Sequence, residues 1–167
     1  MKAETKRNIV GAIAVALLIG WCSMPDQNIS ASEIFSVSDY ENSLSERPAV
    51  SVTFGESDNN HCSLTVLREN IREGYSVYSL RGNKYQYVSF NCNWDGVWYI
   101  ENSNRDTYVD LEIVSLDRAN KRAEVLISAR LSEHKKINEN PSGDTAELNR
   151  VKLVITGKYF DNLTKQM

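Results

Sequence analysis

Two cysteines, Cys62 and Cys92, have the clearest chemistry available to them in this sequence. The third cysteine, Cys22, lies in an apolar N-terminal run, which leaves an even pair in the rest of the chain. An apolar run of this kind indicates export, and cysteines in an oxidising compartment pair as disulfides. No Cys-x-x-Cys motif is present, and only His61 and His134 could assist in redox or metal chemistry. The sequence therefore predicts a Cys62–Cys92 disulfide and no metal site.

Catalytic motifs are absent from the sequence. It contains no Gly-x-Ser-x-Gly, no His-Glu-x-x-His and no glycine-rich phosphate loop. His61 and His134 are expected to be solvated loop residues, because no ligand spacing completes a metal set around them. Asp110 and Glu112 share a strand face and could form an acid and base pair, but such residues more often form the wet side of an amphipathic strand. We therefore expect no catalytic residues, no cofactor and no enzymatic activity.

The stretch NCNWDGVWYIEN, residues 91–102, combines two tryptophans and a tyrosine with an Asp-Gly pair. Asp95-Gly96 predicts a two-residue hairpin loop, because a type I′ turn needs positive φ at both central residues. A loop of this length fixes the strand register. The predicted register is Trp94 opposite Val97, Asn93 opposite Trp98 and Cys92 opposite Tyr99.

This register separates two faces of the predicted hairpin. The apolar face, expected in the core, holds Phe90, Cys92, Trp94, Val97 and Tyr99. The other face, continued back along the first strand, holds Tyr85, Tyr87, Asn91, Asn93, Trp98 and Ile100. Rings supply contact area at low entropic cost while amides fix orientation, so this mixed face is a candidate binding site. The alternative is that a second layer covers it, since tyrosine and tryptophan are common in strands whatever the function.

The N-terminus predicts a membrane leader. Lys2, Lys6 and Arg7 precede an uncharged apolar run at residues 9–22, whose length lies between a signal peptide and a spanning helix. Residues 1–24 are therefore a signal peptide or a single membrane anchor. No Lys or Arg follows until Arg47, so the positive-inside rule places the rest of the chain outside the cytoplasm.

Composition divides and classifies the rest of the chain. Residues 25–47 predict a membrane-proximal linker with a short helix that Pro48 ends, and residues 48–167 predict an extracytoplasmic β domain. The chain has 19 basic and 22 acidic residues. A mildly acidic exported domain has no reason to bind nucleic acid.

Strand signals dominate after residue 48. Short β runs occur at residues 49–54 and 76–80, and a Gly82-Asn83 loop predicts a hairpin into a strand starting at Lys84. Three amphipathic strands follow at residues 107–116, 122–131 and 149–160, with a tight turn between the first two. Residues 63–73 fit either a helix or a strand. The expected fold is mainly β, with α+β as the alternative: an antiparallel meander of seven to eight strands forming a small barrel or sandwich, with an N-terminal apolar helix and one or two short helices.

The segment Gly96-Val97-Trp98, which follows a strand that begins after a Gly-Asn turn, resembles the G-x-W element of small lipocalin-like barrels. Similar hairpins occur in exported domains of small single-span proteins that associate with membrane-bound transcription regulators, ToxS-like proteins among them. The resemblance spans about twenty residues and implies a ligand-binding or sensing barrel. An interior lined by Tyr85, Tyr87, Trp98 and Ile100 would favour that function, and the same residues facing outward would favour protein contact.

These features lead to three expectations of function. The first is a non-enzymatic, protein-interaction domain in a bacterial envelope assembly, periplasmic or anchored in the inner membrane through residues 9–22, with another envelope or membrane protein as its partner. The second is a lipocalin-like barrel that binds or senses a small amphipathic ligand, as the partner of a membrane-bound transcription regulator. The third is a secreted enzyme inhibitor that uses the long polar connection from Ser132 to Leu148.

Overall fold

The computed structural model describes residues 34–42, 46–134 and 144–165, with only the backbone at residues 41 and 42. In these ranges the chain is mainly β, with nine strands, one 3₁₀ turn and one α-helix. The strands are β1 (Ile34–Asn42), β2 (Arg47–Ser57), β3 (Asn60–Leu67), β4 (Ser76–Leu80), β5 (Val88–Trp94), β6 (Val97–Ile100), β7 (Tyr108–Asp117), β8 (Arg122–Glu133) and β9 (Thr145–Thr156). The 3₁₀ turn is Arg68–Asn70 and helix α1 is Gly157–Thr164.

The strands form one antiparallel sheet in the order β1-β2-β3-β5-β6-β8-β7-β4, with β9 also paired to β8. Strand β8 pairs with β7 and β9 along most of its length. It meets β6 only at its end, at Ser132 and Glu133. The inward faces of β2 and β3 and those of β7, β8 and β9 contribute to a shared core.

Alternation of apolar and polar residues builds this core, as the sequence predicts. In β7 the inward Val109, Leu111 and Ile113 are buried while Asp110 and Glu112 are exposed. Strand β8 buries every second residue in the same way. Each fully buried aliphatic side chain contributes about 1.5–3 kcal/mol relative to its exposed state.

The hairpin predicted at Asp95-Gly96 is confirmed. Asp95 and Gly96 have φ of 50° and 82°, as a type I′ turn requires. The observed pairs are Trp94 with Val97, Asn93 with Trp98 and Cys92 with Tyr99. The hairpin predicted at Gly82-Asn83 is wrong. Strand β4 pairs with β7 instead, residues 81–87 form turns, and β5 begins only at Val88, because a local turn signal does not choose the strand partner.

The short helix predicted before Pro48 is wrong. The chain forms β1 there and pairs with β2 through eight residue pairs. Pairing and burial of Val37 outweigh the helix-capping signals of the sequence. Pro48 lies inside β2, near the start of the strand, where a missing N–H is tolerated. The sheet thus includes residues that the sequence assigned to a linker.

The ambiguous residues 63–73 form a strand followed by the 3₁₀ turn, not a helix. The last predicted strand ends early, at Thr156. Gly157 has φ of 57°, which stops the strand, and α1 follows. Phe160 and Leu163, three residues apart, then bury one helix face in the core.

Helix α1 covers the open edge of β1. The Tyr159 hydroxyl donates to the Phe35 carbonyl at 3.1 Å, and the Asn162 side-chain amide donates to the Val37 carbonyl at 3.0 Å. These bonds satisfy acceptors on the side of β1 that faces away from β2.

The predicted linker at residues 25–47 is described only at residues 34–42, 46 and 47. Predictions for the leader and for one connection also fall wholly or partly outside the described residues. One is the leader at residues 1–24. Of the helices in the described ranges, none has the length and apolar character needed to cross a membrane. The other is the connection from Ser132 to Leu148, whose ends belong to β8 and β9, while residues 135–143 are not described.

Candidate functional site

The predicted disulfide is confirmed and lies beneath the candidate face. Cys62 of β3 and Cys92 of β5 are directly opposite each other, with an S–S distance of 2.03 Å, and both side chains are fully buried. The bond closes a loop across 30 residues, which the chain-entropy model values at about 3–4 kcal/mol. It also fixes the register of β3 against β5, so that His61 lies opposite Asn93.

Four of the six predicted site residues come together on the outer side of the β5–β6 hairpin. Asn91 is opposite Ile100, and Asn93 is opposite Trp98. The Trp98 side chain is 43% exposed and does not point into the core. The Asn93 side-chain oxygen accepts a hydrogen bond from the Gly96 N–H at 3.0 Å, which ties this amide to the turn.

Tyr85 and Tyr87 do not extend this face as strand residues. Both lie in the turns that precede β5. Tyr85 is exposed, while the half-buried Tyr87 ring lies 5.5 Å from the Arg47 guanidinium and 6.0 Å from the Lys84 ammonium. These tyrosines therefore form a separate, cation-flanked feature.

His61 joins the face, although the sequence suggested a loop position. It belongs to β3, and its ring meets the Trp98 ring edge-on, with centroids 5.7 Å apart and planes at 85°. Its Nδ1 lies 2.8 Å from the Asp58 carbonyl oxygen, which fixes the ring orientation. His61, Asn93 and Trp98 thus form one row across β3, β5 and β6. The position of His61 could have been predicted from the disulfide and the hairpin together. Pairing Cys62 with Cys92 places His61 opposite Asn93, and the hairpin places Asn93 opposite Trp98.

The outward-facing strand residues next to this row, on β2, β3, β5 and β6, are uncharged. We call this surface the polar face; it comprises Ser51 and Thr53 of β2, His61, Ser63 and Thr65 of β3, Ser89, Asn91 and Asn93 of β5, and Trp98 and Ile100 of β6. Some of its hydroxyls bond to each other, with Thr53 and Ser63 oxygens 3.2 Å apart and Thr65 donating to Ser51 at 3.3 Å. The polar face can therefore exchange neutral hydrogen bonds, with Trp98 as its large exposed ring.

The end of β8 completes this region. The His134 N–H donates to the Trp98 carbonyl at 2.7 Å, which holds the backbone of β6 in place. Ser132, opposite Ile100, is 4% exposed, and its buried hydroxyl has no hydrogen-bond partner among the described residues.

Asp110, Glu112 and Glu101 are acidic residues that lie outside the polar face. Asp110 and Glu112 lie exposed on the outer side of β7. Over the described ranges, no cluster of three or more His, Cys, Asp or Glu side chains is placed to hold a metal ion. Burial raises the pKa of the Glu101 carboxyl, which accepts hydrogen bonds from the Ser79 hydroxyl at 2.6 Å and the Gly82 N–H at 3.1 Å. Glu101 thereby fastens β4 and the following turn to the end of β6.

A small cavity lies inside the core, and a larger cleft opens at the surface. Between β2, β3 and β7–β9 the core leaves a cavity volume of only about 10 Å³, which is at the lower limit for one water molecule. A larger cleft of about 400 Å³ opens at the end of α1. It is lined by Pro48, Arg68, Glu69, Ile71, Arg118, Leu163, Thr164 and Lys165.

Comparison of the chain with protein-family models, curated proteins and solved structures finds no match.

Proposed function

We propose that this chain is a non-enzymatic, exported protein-contact domain that uses the polar face to bind another envelope or membrane protein. The observation that carries the proposal is the position of Trp98, which is exposed on the uncharged polar face above a buried hydrophobic core. Tryptophan is enriched among the residues that dominate binding energy at protein interfaces, and charged residues are depleted at interface centres.

The geometry also supports a finer description of the fold. The inward faces of β2 and β3 share one core with those of β7–β9, and α1 lies beside both β1 and β9. We propose that the sheet curls into a small, partly open barrel whose interior is packed with side chains. A packed interior supports protein contact over the carrying of a ligand inside a barrel.

The compartment forms part of the same proposal. The Cys62–Cys92 disulfide is compatible with an oxidising space, and the apolar run at residues 9–22 follows three basic residues. Together they support a periplasmic domain, released or held at the inner membrane.

Site-specific photocrosslinking in native cells tests the proposed contact. A photoreactive amino acid replaces Trp98 in the full-length chain, and a matched variant carries it at Val114, which is 38% exposed on β7. We expect one discrete protein adduct from position 98 and none from position 114. Equal adducts from both positions, or none from either, would contradict the proposed face.

Trp98→Ala separates binding from folding. Because the ring is partly exposed, we expect the unfolding free energy to fall by less than about 1.5 kcal/mol, while the crosslinked partner no longer co-purifies. A large loss of stability together with retained binding would show that Trp98 is a structural residue.

The cleft at the end of α1 supports a second candidate function, the binding of a small anionic amphiphile. Its volume of about 400 Å³ lies within the range of ligand sites. Ile71 and Leu163 supply an apolar floor, and Arg118 supplies positive charge, while Lys165 is paired with Asp39 at 3.0 Å. Titration of the full-length protein with dodecanoate tests this function: we expect saturable binding that Arg118→Gln weakens, and no saturable binding would remove the candidate.

A further inference from the structure

Three strands, β1, β4 and β9, have a single strand neighbour among the described residues. An unpaired edge is a template for pairing with another chain, and proteins usually protect such edges with charges, bulges or covering elements. Helix α1 covers β1, as described above. Strand β9 carries the exposed Glu147, Arg150 and Lys152 and has a bulge against β8. Strand β4, with the sequence SVYSL, has neither a charge nor a bulge.

The hydrogen-bond pattern shows which groups of β4 face outward. The Ile113 N–H donates to the Tyr75 carbonyl at 2.8 Å, and the Arg81 N–H donates to the Thr107 carbonyl at 2.8 Å. Because residues of an antiparallel strand alternate between bonding and non-bonding positions, Ser76, Tyr78 and Leu80 direct their backbone groups away from β7.

Asn83 already occupies one of these three positions. Its side-chain oxygen accepts from the Leu80 N–H at 3.1 Å, and its N–H donates to the Leu80 carbonyl at 3.1 Å. The backbone groups of Ser76 and Tyr78 remain without such a bond to the described chain. They form a short edge open to a partner strand.

Exposed apolar side chains lie along this open edge. Tyr78 is 55% exposed and stacks on Tyr108, with ring centroids 6.0 Å apart and planes at 23°. Leu80 is 40% exposed. A strand added beside β4 would cover both side chains and satisfy the open backbone groups.

We infer that β4 binds an extended segment of another protein by adding it as a strand to the sheet. The inferred segment has apolar side chains at alternate positions to cover Tyr78 and Leu80. It also has Lys or Arg on the same face, because Asp110 and Glu112 of β7 lie opposite Tyr78 and Ser76 on that face. A second copy of this chain would bring a second set of these carboxylates to the edge, so the charges favour a different protein. Main-chain bonds give affinity in this mode, and alternate side chains give specificity.

This surface is distinct from the polar face. Strand β4 lies at the end of the sheet path beyond β7, while the polar face is formed by β2, β3, β5 and β6. The inference therefore does not depend on Trp98, and Trp98→Ala should leave strand addition at β4 unchanged.

Titration of the full-length protein with a synthetic strand tests the inference. The probe is acetyl-Lys-Thr-Val-Thr-Val-Thr-Lys-amide, in which valines and lysines share one face. We expect saturable binding, with slowed hydrogen exchange of the Ser76 and Tyr78 amides. Two further peptides carry N-methyl groups on the valines or on the threonines, so that each lacks the donors of one edge only. One of them should lose binding and the other should retain it.

Variants of Ser76 test the same contact from the protein side. Ser76→Pro removes an outward N–H at the first residue of the strand, where proline is tolerated, and Ser76→Ala keeps it. We expect about tenfold weaker probe binding for the proline variant, the equivalent of one lost hydrogen bond, and less than about a twofold change for alanine. If the proline variant does not fold, the methylated peptides still show whether the probe binds by strand pairing.

The inference would be overturned if the probe did not bind at millimolar concentration, or if the two methylation patterns both abolished binding or both retained it. Exchange protection outside β4 would also overturn it. Two separate surfaces would be established if the probe bound wild type and Trp98→Ala equally while the partner identified by crosslinking no longer co-purified with Trp98→Ala.

Discussion

At the residue scale, Gly55 shows how one backbone position shapes the candidate face. Its φ is 153°, and a Cβ there would come within 2.3 Å of the Asn60 carbonyl oxygen and 2.6 Å of the His61 Cα. We expect Gly55→Ala to lower the unfolding free energy by about 3 kcal/mol or more, because the backbone next to His61 must shift. Gly74→Ala is the matched control. Gly74 has φ of 74° with open space around it, so only a backbone strain of about 1–2 kcal/mol applies. Equal losses in urea unfolding would show that the close approach has no effect.

Glu101 gives a pH dependence with a defined sign. Burial raises its pKa above the value in the unfolded chain, more than the hydrogen bonds from Ser79 and Gly82 lower it. Ionised Glu101 therefore destabilises the fold at pH above its folded pKa, and this penalty is relieved as pH falls through the folded pKa towards the unfolded value of 4.5. We expect the stability of Glu101→Gln minus that of wild type to be largest at neutral pH and to shrink on acidification. Ser79→Ala, which removes a donor to the ionised form, should steepen the pH dependence. A difference that does not vary with pH would contradict this account.

At the element scale, Arg68 joins three parts of the chain that are distant in sequence. Its side chain is only 9% exposed and binds the carboxylate of Asp39 on β1. It also donates to the carbonyls of Asn162, Leu163 and Lys165, at 3.2, 3.3 and 3.0 Å, at the end of α1. The last carbonyls of a helix lack partners within the helix and carry the negative end of its dipole, so a guanidinium stabilises them well.

Arg68→Lys should cost about 2 kcal/mol, because one ammonium cannot reach both the carboxylate and the carbonyls. Faster hydrogen exchange in α1 should accompany the loss, since the helix end is released from β1. The control is Arg122→Lys, at an exposed pair with Glu124, where we expect a change below about 0.5 kcal/mol. Similar effects of the two variants in urea unfolding would show that the helix anchor does not matter.

Elements with a strong local signal could be predicted from the sequence, and elements chosen by distant partners could not. The Asp95-Gly96 turn sets its own register, and β7 and β8 follow from their alternation. Strand β1 exists because β2 pairs with it, and β4 bypasses its chain neighbour β5 to pair with β7. No local residue pattern indicates that β4 pairs with β7 and not with β5. The candidate site divides in the same way. One hairpin, with a strong local signal, supplies Asn91, Asn93, Trp98 and Ile100. The position of His61 depends on the β3–β5 pairing that the disulfide fixes, and Tyr85 and Tyr87 lie in turns.

At the scale of the whole molecule, one hydrophobic core lies between the strands of the sheet. The described cavity between β2, β3 and β7–β9, which Ile71 and Leu163 also border, has a volume of about 10 Å³. A barrel that carries ligands needs an empty interior of ligand size. The two proposed protein-contact surfaces lie outside this core: the polar face is uncharged, and the β4 edge exposes Tyr78 and Leu80 beside Asp110 and Glu112.

A cavity-creating variant tests whether the interior is full. Leu111 is 1% exposed and borders the small internal cavity, so Leu111→Ala should cost about 3–5 kcal/mol and leave a space lined by apolar atoms. Such a space binds small apolar molecules, because it stays dry. We therefore expect benzene to raise the melting temperature of Leu111→Ala but not that of the wild type. Val114→Ala, which truncates an exposed residue of the same strand, should resemble the wild type in both respects. If benzene stabilised the wild type as well, the interior would already hold ligand-sized space, which would favour ligand binding in the core over protein contact at the surface of the sheet.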